Sequence, residues 1–549
     1  MTDSSHIEML PICIGEPHQI TVTSDRGNES GTYDARHLWF SDTQIVVSPD
    51  ESSTSVTLSS RQTGIKIVSL RWNLSMPKDA LYLGDEWERG YGTMGFHNLL
   101  SNRFMPWYFI ASQADGGFGY GVRVRPNAMC FWQIDAEGIT LVLDVRNGGM
   151  GVQLHGEHLE LATIIARKYE NATAMQTAQQ FCSALCDDPL LPNKPVYGSN
   201  NWYYAYGDST ERDIMQDTDY LAKLSEGNDN RPYMIIDDGW QIHHRINNYN
   251  GGPWREGNSR FPDMQRLADY MRDKSIKPGI WTRLLLNDDP EIPCSWRLKT
   301  NGCLDPSCPD ALEYIAEDIR TMCGWGYRLL KHDFSTFDLF GLWGFQMNPY
   351  VTHDGWHLYD RTITNAQMVK RFYARIHEET ARFGALVLGC NTIGHLGAGL
   401  MHIQRAGDDT SGIDWERTRQ MGINTLAFRL PQHRRFFDID ADCIGIGPTI
   451  DWKFNRQWAE VVANSGTPFF FSAKPESLTP AMEEDLRKAL RTASIGEVHA
   501  IPLDWQQTDC PESWGDETGI KKYMWFDQRG LQFNPNPTRS IAILSNISE

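Results

Sequence analysis

Strand-like and helix-like segments alternate eight times between residues 197 and 472, and this alternation most constrains how the chain can fold. Short apolar runs rich in β-branched residues are separated by longer segments of helical periodicity, which is the pattern of parallel β/α units. The predicted strands lie near residues 198–204, 233–237, 278–283, 327–333, 385–389, 401–405, 435–439 and 468–472. Eight units over roughly 275 residues match the usual size of a (β/α)8 TIM barrel, about 250 residues. We therefore expect a barrel in residues 191–475.

The segments on either side of the predicted barrel have a different pattern. Residues 1–190 contain short β-branched runs, such as 55–58 and 65–68, separated by Gly, Asn, Asp and Ser, as is typical of a β-sandwich. Helical periodicity at 173–186 and three following prolines predict a linker at the end of this region. Residues 476–549 contain strand-like runs at 522–526 and 540–544. The sequence thus predicts three domains: an N-terminal β-sandwich, a central barrel and a small C-terminal β domain.

The charge balance limits the classes of partner. The formal net charge is -19, and so acidic a chain is repelled by nucleic acid and by anionic membrane surfaces. No apolar run approaches the roughly 20 residues of a membrane span. The first residues lack the basic and apolar regions of a secretory signal, so we expect a cytoplasmic protein; a signal that had been removed would leave the same pattern.

The cysteines do not predict a disulfide framework or a metal site. There are eleven, an odd number, scattered along the chain. Cys294, Cys303 and Cys308 lie near His243 and His244 in sequence, but their spacing fits no standard zinc pattern. We therefore expect neither a metal nor another cofactor.

In a TIM barrel the chemistry lies at the carboxyl ends of the strands, and the fourth predicted strand ends in Lys331, His332 and Asp333. Residues two apart on a strand point to the same face, so Lys331 and Asp333 are neighbours there. A cation beside Asp333 favours its ionised form, which a nucleophile requires. An ordinary salt-bridged strand end has the same pattern, so the other strand ends must distinguish the two interpretations.

Three further strand ends also present carboxylates. They are residues 237–238 after strand two, residues 408–409 after strand six, and Asp438, Asp440 and Asp442 on strand seven. The interleaved Lys331 and Arg405 disfavour a divalent metal and suit a neutral ligand rich in hydroxyl groups, such as a sugar. Helix capping is the alternative for residues 408–411, because the next predicted helix begins there.

Together these motifs resemble the retaining α-galactosidase clan, in particular the bacterial α-galactosidase and raffinose synthase family (glycoside hydrolase family 36). The resemblance spans roughly residues 84–472. Its signatures are Gly-Asp-Glu-Trp-Glu-Arg-Gly-Tyr-Gly at 84–92, Ile-Asp-Asp-Gly-Trp-Gln at 236–241, Phe-Pro-Asp-Met at 261–264, Lys-Pro-Gly-Ile-Trp at 277–281, Lys-His-Asp at 331–333 and the stretch from Arg405 to Asp409. That family has the same order of β-sandwich, barrel and small β domain.

The resemblance implies roles for individual residues. Asp333 would be the nucleophile and Asp409 the general acid/base, with Asp408 as its rival because the local alignment fits both. We expect Asp333 to be ionised beside Lys331, and Asp409 to have the higher pKa of the two. The sugar would be bound by Trp202, Asp237, Asp238, Trp240, Trp281, Lys331, Cys390, Asn391, Arg405 and Asp408, and Trp87 would reach the barrel mouth from the sandwich.

The implied activity is that of an exo-α-galactosidase acting on an oligosaccharide or glycoside. Two departures from the family pattern leave the sugar open: His332 replaces a commoner aromatic residue, and the Gly-rich stretch near Cys390 is only partly present. The alternatives are β-L-arabinopyranose or N-acetylgalactosamine as the sugar, transglycosylation as in raffinose synthases, metal-dependent hydrolysis, and sugar binding without catalysis. Family members often form dimers or tetramers, so we expect a homo-oligomer.

Overall fold

The computed structural model describes residues 14–32 and 37–526 of the 549-residue chain. The predicted strand at 540–544 lies outside these residues. None of the helices in the described part combines the length and the hydropathy that a membrane span needs. The chain divides into two compact units, one containing residues up to 87, 96–187 and 340–371, the other containing 88–95, 188–339 and the chain from 372 onward.

The first unit consists mainly of antiparallel strands. They are β1 (Gln19–Ser24), β2 (Gly27–Thr32), β3 (His37–Phe40), β4 (Thr43–Pro49), β5 (Thr54–Ser60), β6 (Ile65–Asn73), β7 (Leu81–Gly84), β8 (Met105–Pro106), β9 (Tyr108–Gln113), β10 (Gly116–Val122), β11 (Met129–Asp135), β12 (Gly138–Asp144) and β13 (His158–Glu170). They form a six-stranded sheet in the order β2-β1-β6-β12-β11-β8 and a seven-stranded sheet in the order β3-β4-β5-β13-β10-β9-β7. Alternate residues of β5 are buried, including Val56 and Leu58, as expected for strands with one face toward a core.

Helix α1 (Ala174–Leu185) completes this unit and packs against β9, β10 and β13. Thr173 begins the helix with a capping box that includes Gln176. A Cβ atom at Gly119 of β10 would lie 2.6 Å from the ring of Phe181, so glycine allows the helix to approach the strand closely. The glycine-rich run at 117–121 lies within this strand.

The second unit contains a parallel sheet with all eight predicted strands. Its segments are β14 (Tyr197–Asn200), β15 (Tyr233–Ile236), β16 (Lys277–Thr282), β17 (Leu329–His332), β18 (Leu386–Gly389), β19 (Ile403–Arg405), β20 (Asp438–Asp440), β21 (Cys443–Gly445) and β22 (Phe469–Ser472). Their order is β20-β19-β18-β17-β16-β15-β14-β22-β21. Segments β20 and β21 are two parts of the seventh strand, interrupted at Asp442, whose φ is +69°. Because they pair with opposite ends of the sheet, the seventh strand joins the two edges, as in a barrel.

Helices follow the strands. They are α2 (Trp202–Ala205), α3 (Glu211–Leu224), α4 (Met264–Asp273), α5 (Pro309–Gly324), α6 (Ser335–Phe340), α7 (Asn365–Ala381), α8 (Gly394–Gly397), α9 (Trp415–Thr418), α10 (Thr425–Arg429) and α11 (Trp452–Asn464). Side-chain caps at Thr210, Asp263 and Asp451 begin α3, α4 and α11. A π-helical turn, Arg419–Asn424, lies between α9 and α10.

The C-terminal region differs from the prediction of β structure from residue 476 onward. Residues 480–495 form helix α12 (Pro480–Ile495), which packs against β14, α3 and α11 in the second unit. Thr479 caps it, and Leu486 and Leu490 bury one face, which is an amphipathic pattern that the sequence analysis missed. A three-stranded antiparallel sheet follows, with β23 (Ile501–Pro502), β24 (Ser513–Asp516) and β25 (Gly519–Lys522). Of the strand predicted at 522–526, only the first residue is in a strand.

Candidate active site

The candidate site lies at the carboxyl ends of the parallel strands. Strands β17, β18 and β19 are paired in register. Asp333 follows β17, Cys390 follows β18 and Arg405 ends β19, so these three residues lie at the same level of the sheet. Below them the interior of the sheet is filled by apolar side chains, among them Ile235, Leu329, Leu388, Ile403 and Phe470. The apolar layer separates this polar end from the other end of the sheet.

The Asp333 carboxylate is held by three N–H donors. The indole Nε1 of Trp281 donates to Oδ2 at 3.0 Å, and the backbone N–H groups of Phe334 and Asn391 donate to Oδ1 at 2.7 and 3.1 Å. The donors come from the ends of strands three, four and five, and the side chain is partly exposed. This geometry fixes the orientation of the carboxylate and leaves part of it accessible.

Lys331 does not pair with Asp333 as the sequence suggested. Its Nζ lies 2.7 Å from Oδ2 of Asp237, which also accepts a hydrogen bond from Asn200 Nδ2 at 2.6 Å. Both residues of this pair are buried. Burial raises the pKa of Asp237, and the ion pair with Lys331 opposes that shift. The prediction that Lys331 flanks the nucleophile was wrong, because the long lysine side chain pairs with the carboxylate of strand two.

The other residues of strand two have different surroundings. Asp238 is buried, and its Oδ1 accepts a hydrogen bond from Gln241 Nε2 at 2.7 Å. Trp240 is fully buried, and its indole Nε1 donates to the backbone carbonyl of Trp281 at 3.0 Å. It therefore supports Trp281 from below and has no exposed surface for a sugar, contrary to the expected role. Trp202, at the start of α2, is half-buried.

Asp408 and Asp409 differ sharply in their surroundings. Both oxygens of Asp408 are paired with guanidinium groups, Oδ1 with Arg89 at 2.7 Å and Oδ2 with Arg417 at 2.8 Å, and its side chain is 10% exposed. Asp409 Oδ1 lies 3.2 Å from Arg405 and 3.7 Å from Arg89, and its side chain is 33% exposed. The accessible carboxyl is therefore that of Asp409. Neither residue caps helix α9, because Asp414 does so.

The pKa of Asp409 is lowered to about 2. Burial alone would raise it, but four nearby cations together have the larger, opposite effect: Arg405, Arg89, Arg417 and Lys331. In the unliganded site Asp409 is therefore ionised at neutral pH. This lowering is opposite to what was expected of the higher-pKa member of the pair, because the sequence does not show how many cations surround Asp409.

Arg405 connects several parts of the site. Its Nη2 lies 2.8 Å from Oδ2 of Asp442, and its Nη1 lies 3.3 Å from Cys390 Sγ. Burial, followed by the charge of Asp333, raises the pKa of the Cys390 thiol well above its ordinary value. Cys390 is therefore a neutral thiol beside the carboxylates and is unsuited to be a nucleophile.

Sequence reasoning missed two site residues, Glu88 and Arg89, within the motif at 84–92. Segment 88–95 belongs to the same compact unit as the parallel sheet. Glu88 is buried and its Oε2 accepts from the side-chain amide of Asn391 at 2.6 Å. The adjacent opposite charges in a glycine-rich motif were the available signal. Trp87 lies in the first unit, where its indole donates to Asn348 at 2.7 Å.

Several of the carboxylates near the strand ends, among them Asp237, Asp408 and Asp409, are paired with lysine or arginine. Over residues 14–32 and 37–526, no group of three or more His, Cys, Asp and Glu side chains is arranged to hold a metal ion. Lys331, Arg89, Arg405 and Arg417 instead separate the acidic groups. Such alternating charges and hydrogen-bonding groups suit the recognition of a polyhydroxyl ligand.

Comparisons with known sequences find local similarity to α-galactosidases. No family model matches the chain. It is 28% identical to an α-galactosidase of Oryza sativa subsp. japonica over 144 residues, which is 26% of this chain and 30% of that protein. It is 30% identical to α-galactosidase Mel36A of Lactobacillus acidophilus over 83 residues, 15% of this chain and 11% of that protein. The matches thus span less than a third of the length of either relative.

Solved structures agree over most of the chain. The α-galactosidase TtGalA of Thermus thermophilus, in complex with stachyose, is 16% identical with a TM-score of 0.58 and covers 83% of this chain and 99% of its own. The Lactobacillus brevis enzyme is 14% identical with a TM-score of 0.59, over 92% of this chain and 76% of its own. The GH36 α-galactosidase AgaA of Geobacillus stearothermophilus is 13% identical with a TM-score of 0.55, over 88% of this chain and 75% of its own. In fold, and in sequence over part of its length, the chain resembles the family 36 α-galactosidases.

Proposed function

We propose that this protein is a retaining exo-glycoside hydrolase that releases terminal α-D-galactose from oligosaccharides or glycosides. One observation carries the assignment of the catalytic pair. Of the eight carboxylates that the sequence predicts at the ends of strands two, four, six and seven, only Asp333 and Asp409 are not buried. The buried ones are Asp237, Asp238, Asp408, Asp438, Asp440 and Asp442. The fold and the sequence similarity to α-galactosidases support the same class of reaction.

The proposed reaction is a double displacement. In the first step an Asp333 oxygen attacks the anomeric carbon, the glycosidic bond breaks, and the leaving oxygen takes the proton of Asp409. This forms a galactosyl ester on Asp333 and a free alcohol. In the second step ionised Asp409 takes a proton from water, whose oxygen attacks the same carbon and releases galactose with retained configuration.

The first step needs protonated Asp409, whereas its pKa of about 2 makes it ionised in the unliganded site. A bound sugar raises the pKa of Asp409 in two ways. It removes water from the exposed third of the side chain, and desolvation raises a carboxyl pKa. The glycosidic oxygen also accepts a hydrogen bond from protonated Asp409, which favours that form of the carboxyl. We infer that substrate binding prepares Asp409 as the acid.

The remaining polar groups provide sugar contacts in this proposal. Lys331 uses one of its three N–H donors on Asp237, so the others are available to hydroxyl oxygens. Asp238 accepts from Gln241 through Oδ1, and its other oxygen is available to a hydroxyl donor. The half-buried ring of Trp202 offers an apolar surface to the pyranose ring.

A panel of nitrophenyl glycosides tests the proposal, with the α-D-galactoside, the β-L-arabinopyranoside and the α-N-acetylgalactosaminide in the presence of EDTA. NMR of the first-formed sugar should detect the α-anomer, and excess acceptor should expose any transglycosylation as a larger saccharide. Turnover of only the β-L-arabinopyranoside or only the α-N-acetylgalactosaminide would change the proposed sugar but not the proposed mechanism. No turnover of any glycoside, or a β-anomer as the first galactose product, would contradict the proposal.

The nucleophile has a separate test. Asp333→Gly should be inactive alone and should form β-galactosyl azide when azide is added, because azide then enters from the face that Asp333 occupies. Asp333→Asn should lose nearly all activity while its thermal midpoint stays close to that of the parent. Full activity of Asp333→Asn would show that another residue attacks the sugar.

A further inference from the structure

Arg283 directly follows strand β16 and has no role in the site described so far. It is buried, and its guanidinium pairs with Asp338 of α6, with Nε 2.9 Å from Oδ2 and Nη2 2.5 Å from Oδ1. Its Nη1 also donates to Asn250 Oδ1. A buried ion pair contributes little net stability, because desolvation offsets the attraction. Stability alone therefore does not explain why this pair lies at the end of the third strand.

Arg283 also contacts Phe334, the residue directly after the nucleophile Asp333. Phe334 has φ +63°, a left-handed conformation that costs a non-glycine residue about 1–3 kcal/mol unless its surroundings hold it. The Arg283 Cζ atom lies 4.0 Å from the centre of the Phe334 ring. The Phe334 carbonyl accepts a hydrogen bond from the Asp338 N–H at 2.9 Å. Arg283 thus packs against the ring of Phe334, while its partner Asp338 belongs to the helical turn whose backbone begins at the Phe334 carbonyl.

Phe334 in turn is linked to hydrogen-bond donors at both carboxylate oxygens of the nucleophile, Asp333. Its own N–H donates to Asp333 Oδ1 at 2.7 Å. Its ring meets the ring of Trp281 edge-on, with centres 6.4 Å apart and an interplanar angle of 89°. Trp281 donates to the other oxygen of Asp333 at 3.0 Å. A shift of Phe334 would therefore disturb the donors at both oxygens.

We propose that Arg283 is a positioning residue for the nucleophile. Together with Asp338 it keeps Phe334 in the left-handed conformation, and Phe334 then orients the Asp333 carboxylate toward the anomeric carbon. This inference rests on the proposed function, because it explains how the Asp333 of that reaction is held. Misplacing a reacting group by about 1 Å costs on the order of 100-fold in rate, so the arrangement has a measurable consequence.

The chain offers a matched control for a purely structural arginine. Arg255 also pairs with a buried aspartate and stacks on an aromatic ring: its Nε lies 2.6 Å from Asp318 Oδ1, and its Cζ lies 4.1 Å from the centre of the Tyr314 ring. Both partners are on helix α5. Arg255→Lys and Arg283→Lys therefore make the same chemical change, since lysine keeps the charge but loses the planar, bidentate guanidinium.

The first experiment compares these two variants. We expect Arg283→Lys to lower kcat on nitrophenyl α-D-galactoside about 10- to 100-fold, with KM within about twofold of the parent. Arg255→Lys should leave kcat within about twofold, whatever its effect on the thermal midpoint. Equal kcat values for the two variants would overturn the proposal. Should Arg283→Lys fail to fold, Arg283→Met combined with Asp338→Leu, which removes the whole buried pair, has the same expected kcat.

The second experiment tests whether Arg283 acts through Phe334. Glycine adopts φ +63° without strain, so in a Phe334→Gly background the backbone no longer needs the arginine. There Arg283→Lys should lower kcat less than about threefold, and Phe334→Ala should be less active than Phe334→Gly. An equal effect of Arg283→Lys in both backgrounds would refute this route. An active Asp333→Asn variant would refute the proposed function itself, whereas an inactive one beside a fully active Arg283→Lys would refute only the positioning role.

Discussion

Neutralising Asp408 and Asp409 separately should have opposite consequences, although the two residues are adjacent. Asp409→Asn should remove general acid catalysis and leave the fold nearly intact. Asp408→Asn should weaken the fold and leave the acid in place. The structure permits this separation because Asp408 is fully paired and Asp409 is partly exposed.

The expected stability changes follow from the contacts. Asp408→Asn leaves the buried Arg89 and the mostly covered Arg417 without the carboxylate that both approach within 2.8 Å, and breaking a buried ion pair costs about 3–5 kcal/mol. Asp409→Asn removes a charge that is one-third exposed, and Arg405 keeps its pair with Asp442 at 2.8 Å. Discounted for solvent screening, that loss is on the order of 1 kcal/mol. Thermal midpoints should therefore fall clearly more for Asp408→Asn.

The expected activity changes depend on the leaving group. General acid catalysis contributes about 10²- to 10⁴-fold, but nitrophenolate leaves without protonation. For Asp409→Asn, kcat/KM should fall by about that factor on an alkyl α-galactoside and much less on nitrophenyl α-galactoside. Azide, which needs no general base, should restore turnover of the nitrophenyl substrate and give α-galactosyl azide.

The assay is a comparison of kcat/KM on the two substrates for parent and variants, at a temperature below every thermal midpoint. Asp408→Asn should change kcat/KM by the same factor on both substrates. If Asp408→Asn showed the leaving-group dependence and Asp409→Asn did not, the assignment of the acid/base would be refuted. A parent-like kcat/KM for Asp409→Asn on the alkyl galactoside would refute it as well.

Three further outcomes are expected. Trp281→Phe removes one hydrogen bond to the Asp333 carboxylate, an interaction worth about 1.5–3 kcal/mol, so kcat/KM should fall roughly 10- to 100-fold; an unchanged value would show that the indole does not assist the nucleophile. Burial raises the pKa of Asp438 to about 7 from an ordinary 3.8. Between these two pH values the folded state binds the proton more tightly than the unfolded state does, so the stability of the fold falls as the pH rises from about 4 to about 7. Asp438→Asn should accordingly raise the thermal midpoint at pH 8 and have little effect near pH 4, and equal midpoints of parent and variant at pH 8 would contradict this. Hydrolysis should be insensitive to EDTA, and a loss that added Mg²⁺ or Zn²⁺ restores would point to a metal-dependent reaction.

The order of the elements could be predicted from the sequence because it depends on local patterns. All eight strands of the parallel sheet lie within a few residues of their predicted positions, since buried parallel strands are short, apolar and β-branched. Asp333 and Asp409 could both be assigned to the regions that follow strands four and six for a related reason, because the carboxyl ends of parallel strands lie on one side of the sheet. The amphipathic helix α12 was missed because a prior expectation of β structure was applied to a segment with helical periodicity.

Charge pairing and burial were decided only by the tertiary structure. Lys331 is two residues from Asp333 but pairs with Asp237, 94 positions earlier. Arg89 comes from a distant segment to contact the 408–409 pair, and it contributes to lowering the pKa of Asp409, which the sequence predicted to be the higher of the catalytic pair. The physical reason is that strand and helix periodicity is written in neighbouring residues. The partner of a long charged side chain, and the water it loses, depend instead on packing between segments far apart in the chain.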